Sequence, residues 1–164
     1  SSNIDLQATV AIIETNFVFS YKLYSFISNQ YNNITILDIG SYFGNSAIAL
    51  SDNKTNTIIS YDIQEHGQTN IVRKNISWKL QEFREDNSID YKNIPVILID
   101  VDPHDGIQEI EMVNFLREKQ WSGLLILDDI HLNENMNDFW QSFKEPKEDL
   151  TSFGHHSGTG VVYF

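Results

Sequence analysis

Four apolar runs in this chain each end in carboxylates. Ile34–Leu37 runs into Asp38, Thr57–Tyr61 into Asp62, Val96–Ile99 into Asp100 and Asp102, and Leu124–Leu127 into Asp128 and Asp129. Short, nearly unbroken apolar runs suit strands covered on both faces, as in a parallel sheet held between two layers of helices. A charge is costly in the middle of such a strand and cheap at its mouth. Open parallel sheets bind their ligands outside the carboxyl ends of the strands. The pattern therefore predicts one sheet whose carboxyl edge carries all of these acids, and it predicts that this edge is the functional site.

The stretches between the runs fit the same architecture. A helix is expected from about Ser46. A second, over 107–118, carries Ile107, Ile110, Met112, Val113 and Leu116 at helical spacing, and a third runs from Glu134 to Phe143 with Phe139 and Trp140 in the core. Ile76–Leu80 reads as a short strand inside the least regular region, 64–92, and Gly160–Phe164 reads as the last strand. Alternation of strand and helix predicts an α/β fold: a Rossmann-like, doubly wound, mainly parallel sheet with helices on both faces and the last strand antiparallel. The length of 164 residues suits a single domain, 1–164. A chain of this size buries roughly two-thirds of its unfolded surface. Residues 5–31 read as helical and aromatic on more than one face. They are expected to cap the cleft, to pack on the domain or to form a homodimer surface. The chain opens Ser1-Ser2-Asn3 without Met, which reads as a trimmed end.

Charge narrows the partners. Asp and Glu number 23 against 11 Lys and Arg, a formal net charge of −12. Such a surface repels phosphate backbones, so no nucleic-acid partner is expected. The absence of cysteine excludes disulfides, thiolate metal sites and cysteine nucleophiles, and it fits a cytoplasmic location. No apolar run approaches the roughly 20 residues of a membrane span, and the first residues do not form a signal peptide, so no membrane partner is expected.

Leu37-Asp38-Ile39-Gly40-Ser41-Tyr42-Phe43-Gly44-Asn45-Ser46 forms a strand, a glycine turn and a helix start. Tyr42 occupies the place of the middle glycine of a dinucleotide fingerprint, and no Gly-Lys-Ser/Thr follows, so neither a dinucleotide nor a Walker loop fits. The Asp-x-Gly-x-x-x-Gly spacing, with Asp62 closing the next strand, resembles the first motifs of class I S-adenosylmethionine (SAM)-dependent methyltransferases. The acids after the later strands, Asp100-Val101-Asp102 and Asp128-Asp129, resemble the small-molecule O-methyltransferases within that class, including catechol-type and metal-dependent sugar enzymes. The resemblance spans about Ile34 to Ile130.

The resemblance implies SAM as the methyl donor. Its methionine part would be cradled by Asp38, Gly40, Ser41 and Gly44, with Asp100 alongside, and its ribose held by Asp62. Glu82 and Phe83 are the expected adenine contacts, and Tyr42 and Phe43 either flank the cofactor or pack. A divalent cation such as Mg²⁺ would be held by Asp100, Asp128 and Asp129, and Asp102 or His104 would take the proton from the acceptor. The function so implied is O-methylation of a small-molecule hydroxyl, a sugar above all. The alternatives are a metal-independent N- or carboxyl-methyltransferase and a non-catalytic SAM- or nucleoside-binding relative. Near the end, Phe153–Gly160 holds three glycines around His155 and His156. It reads either as the turn of a terminal antiparallel hairpin or as a rim loop bringing those histidines to the acceptor. His131 is open in the same way, between substrate contact and plain exposure.

Overall fold

The computed structural model describes residues 19–164, so residues 5–18 of the expected N-terminal helical stretch lie outside the described residues. In chain order the elements are α1 (Phe19–Ser28), β1 (Thr35–Ile39), α2 (Asn45–Leu50), β2 (Thr57–Asp62), β3 (Ile76–Leu80), β4 (Val96–Ile99), α3 (Ile107–Glu118), β5 (Leu124–Asp128), α4 (Glu134–Ser142), β6 (Lys147–Asp149) and β7 (Thr159–Tyr163). Among the described residues no helix is long and apolar enough to cross a membrane.

The seven strands form one sheet in the order β3-β2-β1-β4-β5-β7-β6. β1 through β5 pair in parallel, and β7 returns antiparallel between β5 and β6. The mainly parallel, doubly wound architecture expected from the apolar runs is thus realised, with its last strand antiparallel. Register explains why the central runs are apolar throughout. Leu37, Ile97, Leu125 and Val162 stand in one row across the sheet, and they pack on Met112, Val113 and Leu116 of α3 and on Met136, Phe139 and Trp140 of α4. Ile36, Leu98 and Ile126 point to the opposite face, against Leu23, Tyr24 and Ile27 of α1 and Ala47 and Leu50 of α2. With both faces covered, a polar residue at either phase would lose its water, so the alternation typical of half-exposed strands is missing.

β1 continues through α2 to β2 on one side, whereas the chain reaches β4 on the other side of β1. The strand order therefore reverses between β1 and β4, which opens a crevice at their carboxyl ends. Gly40 turns the chain there at φ +99°, and a Cβ on it would lie 1.7 Å from the Asp100 carbonyl oxygen. Only glycine satisfies both the dihedral and the approach.

Candidate active site

The crevice holds about 800 Å³ of empty space open to solvent, and its lining includes Gly40, Asp62, Glu82, Phe83, Asp100 and Asp102. These residues, singled out from sequence, meet around one cleft together with Tyr42. Asp62, at the end of β2, is held rigidly: Oδ2 accepts the Tyr42 amide at 2.8 Å and Oδ1 accepts the Gln64 amide at 2.9 Å. A carboxylate has about four acceptor positions, so these bonds fix its orientation and leave capacity for a pair of donors from a ligand. Tyr42 reaches that bond through a left-handed φ of 44°, an unusual state for an aromatic residue and one that concentrates at functional sites. Its ring and that of Phe43 lie 4.0 Å apart, and His66 lies tilted beside Tyr42 at 4.8 Å, forming a half-exposed aromatic rim. Glu82 is engaged bidentately by Arg84 at 2.9 and 3.1 Å.

The rest of the expected cofactor set lies behind the turn. Asp38 is fully buried, and its Oδ2 accepts the Ser60 hydroxyl at 2.5 Å. Ser60 has one proton, so it in turn accepts from Ser41, 2.6 Å away. Gly44 packs toward Ile71 and Trp78. These three support the loop from beneath. Sequence reasoning missed Tyr61, His66, Gln81, Gln108 and Met112, which also line the cleft. Met112 and Gln108 come from α3, where Met112 had read as plain core.

Beside the cleft the acids close into a tight edge. The expected metal trio is divided between two groups that share Asp129: Asp100, His104 and Asp129 in one, and Asp128, Asp129 and His155 in the other. Asp129 takes φ +56° immediately after β5. The strand alternation that would have sent Asp128 and Asp129 to opposite faces ends there, and both serve the same edge. His104, also left-handed at φ +55°, sets Nε2 at 3.3 Å from Asp129, 3.5 Å from Asp102 and 3.9 Å from Asp100. Burial raises the Asp100 pKa well above the ordinary carboxylate range, and the charges of Asp128, Asp129, Asp38 and Asp102 raise it further. Asp102 is almost fully exposed on the cleft wall, with 88% of its side chain accessible.

The loop between β6 and β7 serves both readings of Phe153–Gly160, since it is a hairpin connection and it also delivers His155 to the edge. His155 Nε2 sits 2.8 Å from Asp128 Oδ1, and Nδ1 sits 2.6 Å from Ser157. The bond to Asp128 raises the His155 pKa; partial burial opposes this, and the charges of Asp128 and Asp129 add to it. His156 is exposed, its ring 6.5 Å from that of His155. His131 turns to the hairpin, with Nε2 2.6 Å from Asp149 and Nδ1 3.3 Å from Asn137.

No family model matches the chain, and no curated protein sequence matches it. Solved structures do. A Staphylococcus aureus protein provisionally named a caffeoyl-CoA O-methyltransferase superposes with a TM-score of 0.71 at 14% identity, covering 100% of this chain and 93% of that one. An O-methyltransferase from Bacillus cereus in complex with SAH gives 0.65 at 15% identity, covering 96% and 86%. An SAH-bound methyltransferase from Podospora anserina gives 0.62 at 14%, covering 88% and 78%. The likeness establishes the fold as the Rossmann-like one that these methyltransferases share.

Proposed function

We propose that this protein is a SAM-dependent O-methyltransferase acting on a hydroxyl of a small molecule, with a sugar the preferred acceptor and a divalent cation assisting. The observation that carries the reading is the junction of two half-sites at one crevice. A glycine turn and a rigid, half-satisfied Asp62 stand on one side, and an edge of clustered acids stands on the other. SAM would supply a methyl group made electrophilic by its sulfonium.

The residues have distinct work in this reading. Asp62 receives the vicinal ribose hydroxyls in its two free acceptor positions. Gly40 leaves room for the donor's backbone-like methionine part against the β4 end. Phe83 and Met112 give the adenine an apolar wall. Arg84 fixes the Glu82 carboxylate, which keeps acceptor capacity for the adenine amine, and the amides of Gln81 and Gln108 stand beside it to read the adenine edge. Asp102, exposed on the cleft wall, accepts the acceptor's proton. A carboxylate is a weak base toward an alcohol, so it needs the hydroxyl acidified. A cation at the acid edge would supply that Lewis acidity. The donor set fits one: burial first, and then the carboxylates crowding Asp100, raise its pKa, and a bound cation relieves the repulsive part. Asp129 is the oxygen donor common to both groups, with Asp100 on one side of it and Asp128 on the other. Holding the hydroxyl in line with the methyl and sulfur contributes by proximity, an effect worth up to about 7–11 kcal/mol. A net charge of −12 disfavours anionic acceptors and suits neutral polyols.

The Asp128–His155 ion pair favours a second reading, metal-independent transfer to nitrogen or carboxylate, because it already neutralises one of the expected ligands. Under that reading Asp128→Ala keeps most of the activity. The deciding experiment is isothermal titration of SAM into the protein, with EDTA and then with Mg²⁺ restored, alongside Asp62→Ala, followed by a screen of sugar acceptors. Micromolar binding abolished by Asp62→Ala supports the donor assignment. Binding without turnover on any acceptor favours a non-catalytic SAM-binding protein, and no binding under any condition removes the methyltransferase reading.

A further inference from the structure

We infer that Asp100, Asp129 and His104 form a site for a borderline divalent metal such as Co²⁺, Fe²⁺ or Zn²⁺, with Glu109 orienting His104 from its buried side. The inference rests on the proposed function only for the role of the site, since metal binding is measurable without methyl transfer.

The three donor atoms lie within 4.8 Å of one another. Of the two such groups, this one is free of internal hydrogen bonds. In the other, Asp128 already accepts from His155 at 2.8 Å and from Thr159 at 3.0 Å. Glu109 supplies an independent observation. It lies in the first turn of α3, it is 2% exposed, and neither carboxylate oxygen finds a hydrogen-bond partner among the described residues. A buried carboxylate without a partner costs stability that a fold rarely tolerates without a use. The nitrogen facing it is His104 Nδ1, 3.9 Å from Oε1, about 0.7 Å beyond hydrogen-bonding range.

Metal ligation explains both ends of this imidazole. When Nε2 binds a cation, the ring proton resides on Nδ1, and ligating histidines characteristically donate that proton to a carboxylate. A small rotation of the ring closes the Nδ1–Glu109 gap and gives Glu109 its missing partner. The His104 backbone is itself fixed, because the Asn133 side chain donates to its carbonyl at 2.9 Å while capping α4 by accepting the Met136 amide. The strained φ of His104 is thus tied at both ends of the residue. An imidazole ligand also sets the preference among metals: Mg²⁺ favours oxygen donors, whereas imidazole suits the later transition ions.

The test is titration of Co²⁺ and of Mg²⁺ into the metal-free chain, by calorimetry and by the visible Co²⁺ d–d bands, with a SAM titration on each protein. The expected result is Co²⁺ binding at least tenfold tighter than Mg²⁺, with bands that report nitrogen ligation. His104→Ala removes those bands. Glu109→Gln weakens Co²⁺ binding about 10–100-fold, the usual effect of losing such a supporting carboxylate, and leaves SAM affinity unchanged. Thermal melts of both variants confirm that they fold, and a merely structural Glu109 would change the melt without moving the Co²⁺ spectrum. The inference is overturned if Co²⁺ does not bind, binds no tighter than Mg²⁺, or binds equally well to His104→Ala. It is overturned for Glu109 if Glu109→Gln leaves Co²⁺ affinity intact. Failure of SAM to bind while these metal results hold would remove the methyltransferase reading and leave the metal site standing.

Discussion

Asp38→Asn isolates the electrostatic cost of the turn after β1. Burial raises the Asp38 pKa from 3.8 to about 6, with the Ser60 and Ser46 hydroxyls opposing the shift and Asp62 adding to it. A carboxyl whose folded pKa lies above its unfolded one favours the folded state while protonated. Its contribution is fully present below about pH 4 and is lost as pH rises through 6. A shift of roughly two pKa units corresponds to about 3 kcal/mol of lost stability at high pH. Between pH 5 and pH 8 the loss assigned to Asp38 is about 1.5 kcal/mol, since part of it has already occurred at pH 5. Asparagine keeps the shape and the acceptor for Ser60 but carries no charge. Its amide has a fixed packing and hydrogen-bonding cost that is the same at both pH values and cancels in the difference. The assay is urea unfolding of both proteins at pH 5 and pH 8 in EDTA, followed by far-ultraviolet circular dichroism. The variant should gain about 1.5 kcal/mol on wild type between the two pH values. Parallel pH dependence in the two proteins would refute the buried-charge argument, whatever their absolute stabilities.

Gly40→Ala should abolish SAM binding and lower the melting temperature, because its Cβ would meet the Asp100 carbonyl at 1.7 Å and its φ is +99°; a variant with unchanged melt and SAM titration would contradict the turn geometry. Trp140→Ala empties a site against Gly160 and Ile130 in a residue only 3% exposed. It should cost about 3–5 kcal/mol in chemical denaturation, the usual range for a buried aromatic, and a loss under about 1 kcal/mol would show that the core collapses there. His155 has a raised pKa from its bond to Asp128, so the ion pair stabilises the fold below the ordinary histidine pKa and fades as pH rises through the raised value. His155→Gln in EDTA should therefore lower the melting temperature at pH 6 more than at pH 8.5, and an equal drop at both would assign the loss to packing.

The central strands were legible because burial on both faces leaves only apolar residues, as at Val96–Ile99, all buried. Acids were legible as strand ends for the converse reason. β6 was not, since Lys147, Glu148 and Asp149 join the sheet at its outer edge, where no apolar signal is required. Gly40 and Asp62 announced the cleft through local spacing, but Asp38 and Ser41 could not be told from ligand contacts without the third dimension, which places them under the turn. Glu109 was invisible because a glutamate in the first turn of a helix ordinarily complements the helix dipole from the surface. Only the tertiary packing of α3 behind His104 makes it buried and unpartnered. The division of the acids into two groups was equally hidden, because it follows from the left-handed backbone at Asp129 and His104.

Several of those exceptions meet beside the crevice. Tyr42, His104 and Asp129 hold left-handed backbone around the same crevice, and such states cost of order 1–3 kcal/mol each. Asp100 sits among four other carboxylates that raise its pKa, and Glu109 is buried without a partner. A sequence shaped for stability alone would relieve every one of these with a glycine, an amide or an apolar residue. The layers behind them, from Leu37 to Trp140 on one face and Leu23 to Val161 on the other, are closed and apolar and tolerate the local cost. Left-handed backbone also occurs at Asn33 and Gln120, and Tyr24 and Asp38 also carry buried oxygens without a partner, so what sets this edge apart is that strain, crowded charge and a buried acid meet there. That concentration is what the proposed reaction at the edge from Asp100 to Asp129 draws on. His131, through its contacts with Asp149 and Asn137, is tied to the hairpin and stands apart from that concentration.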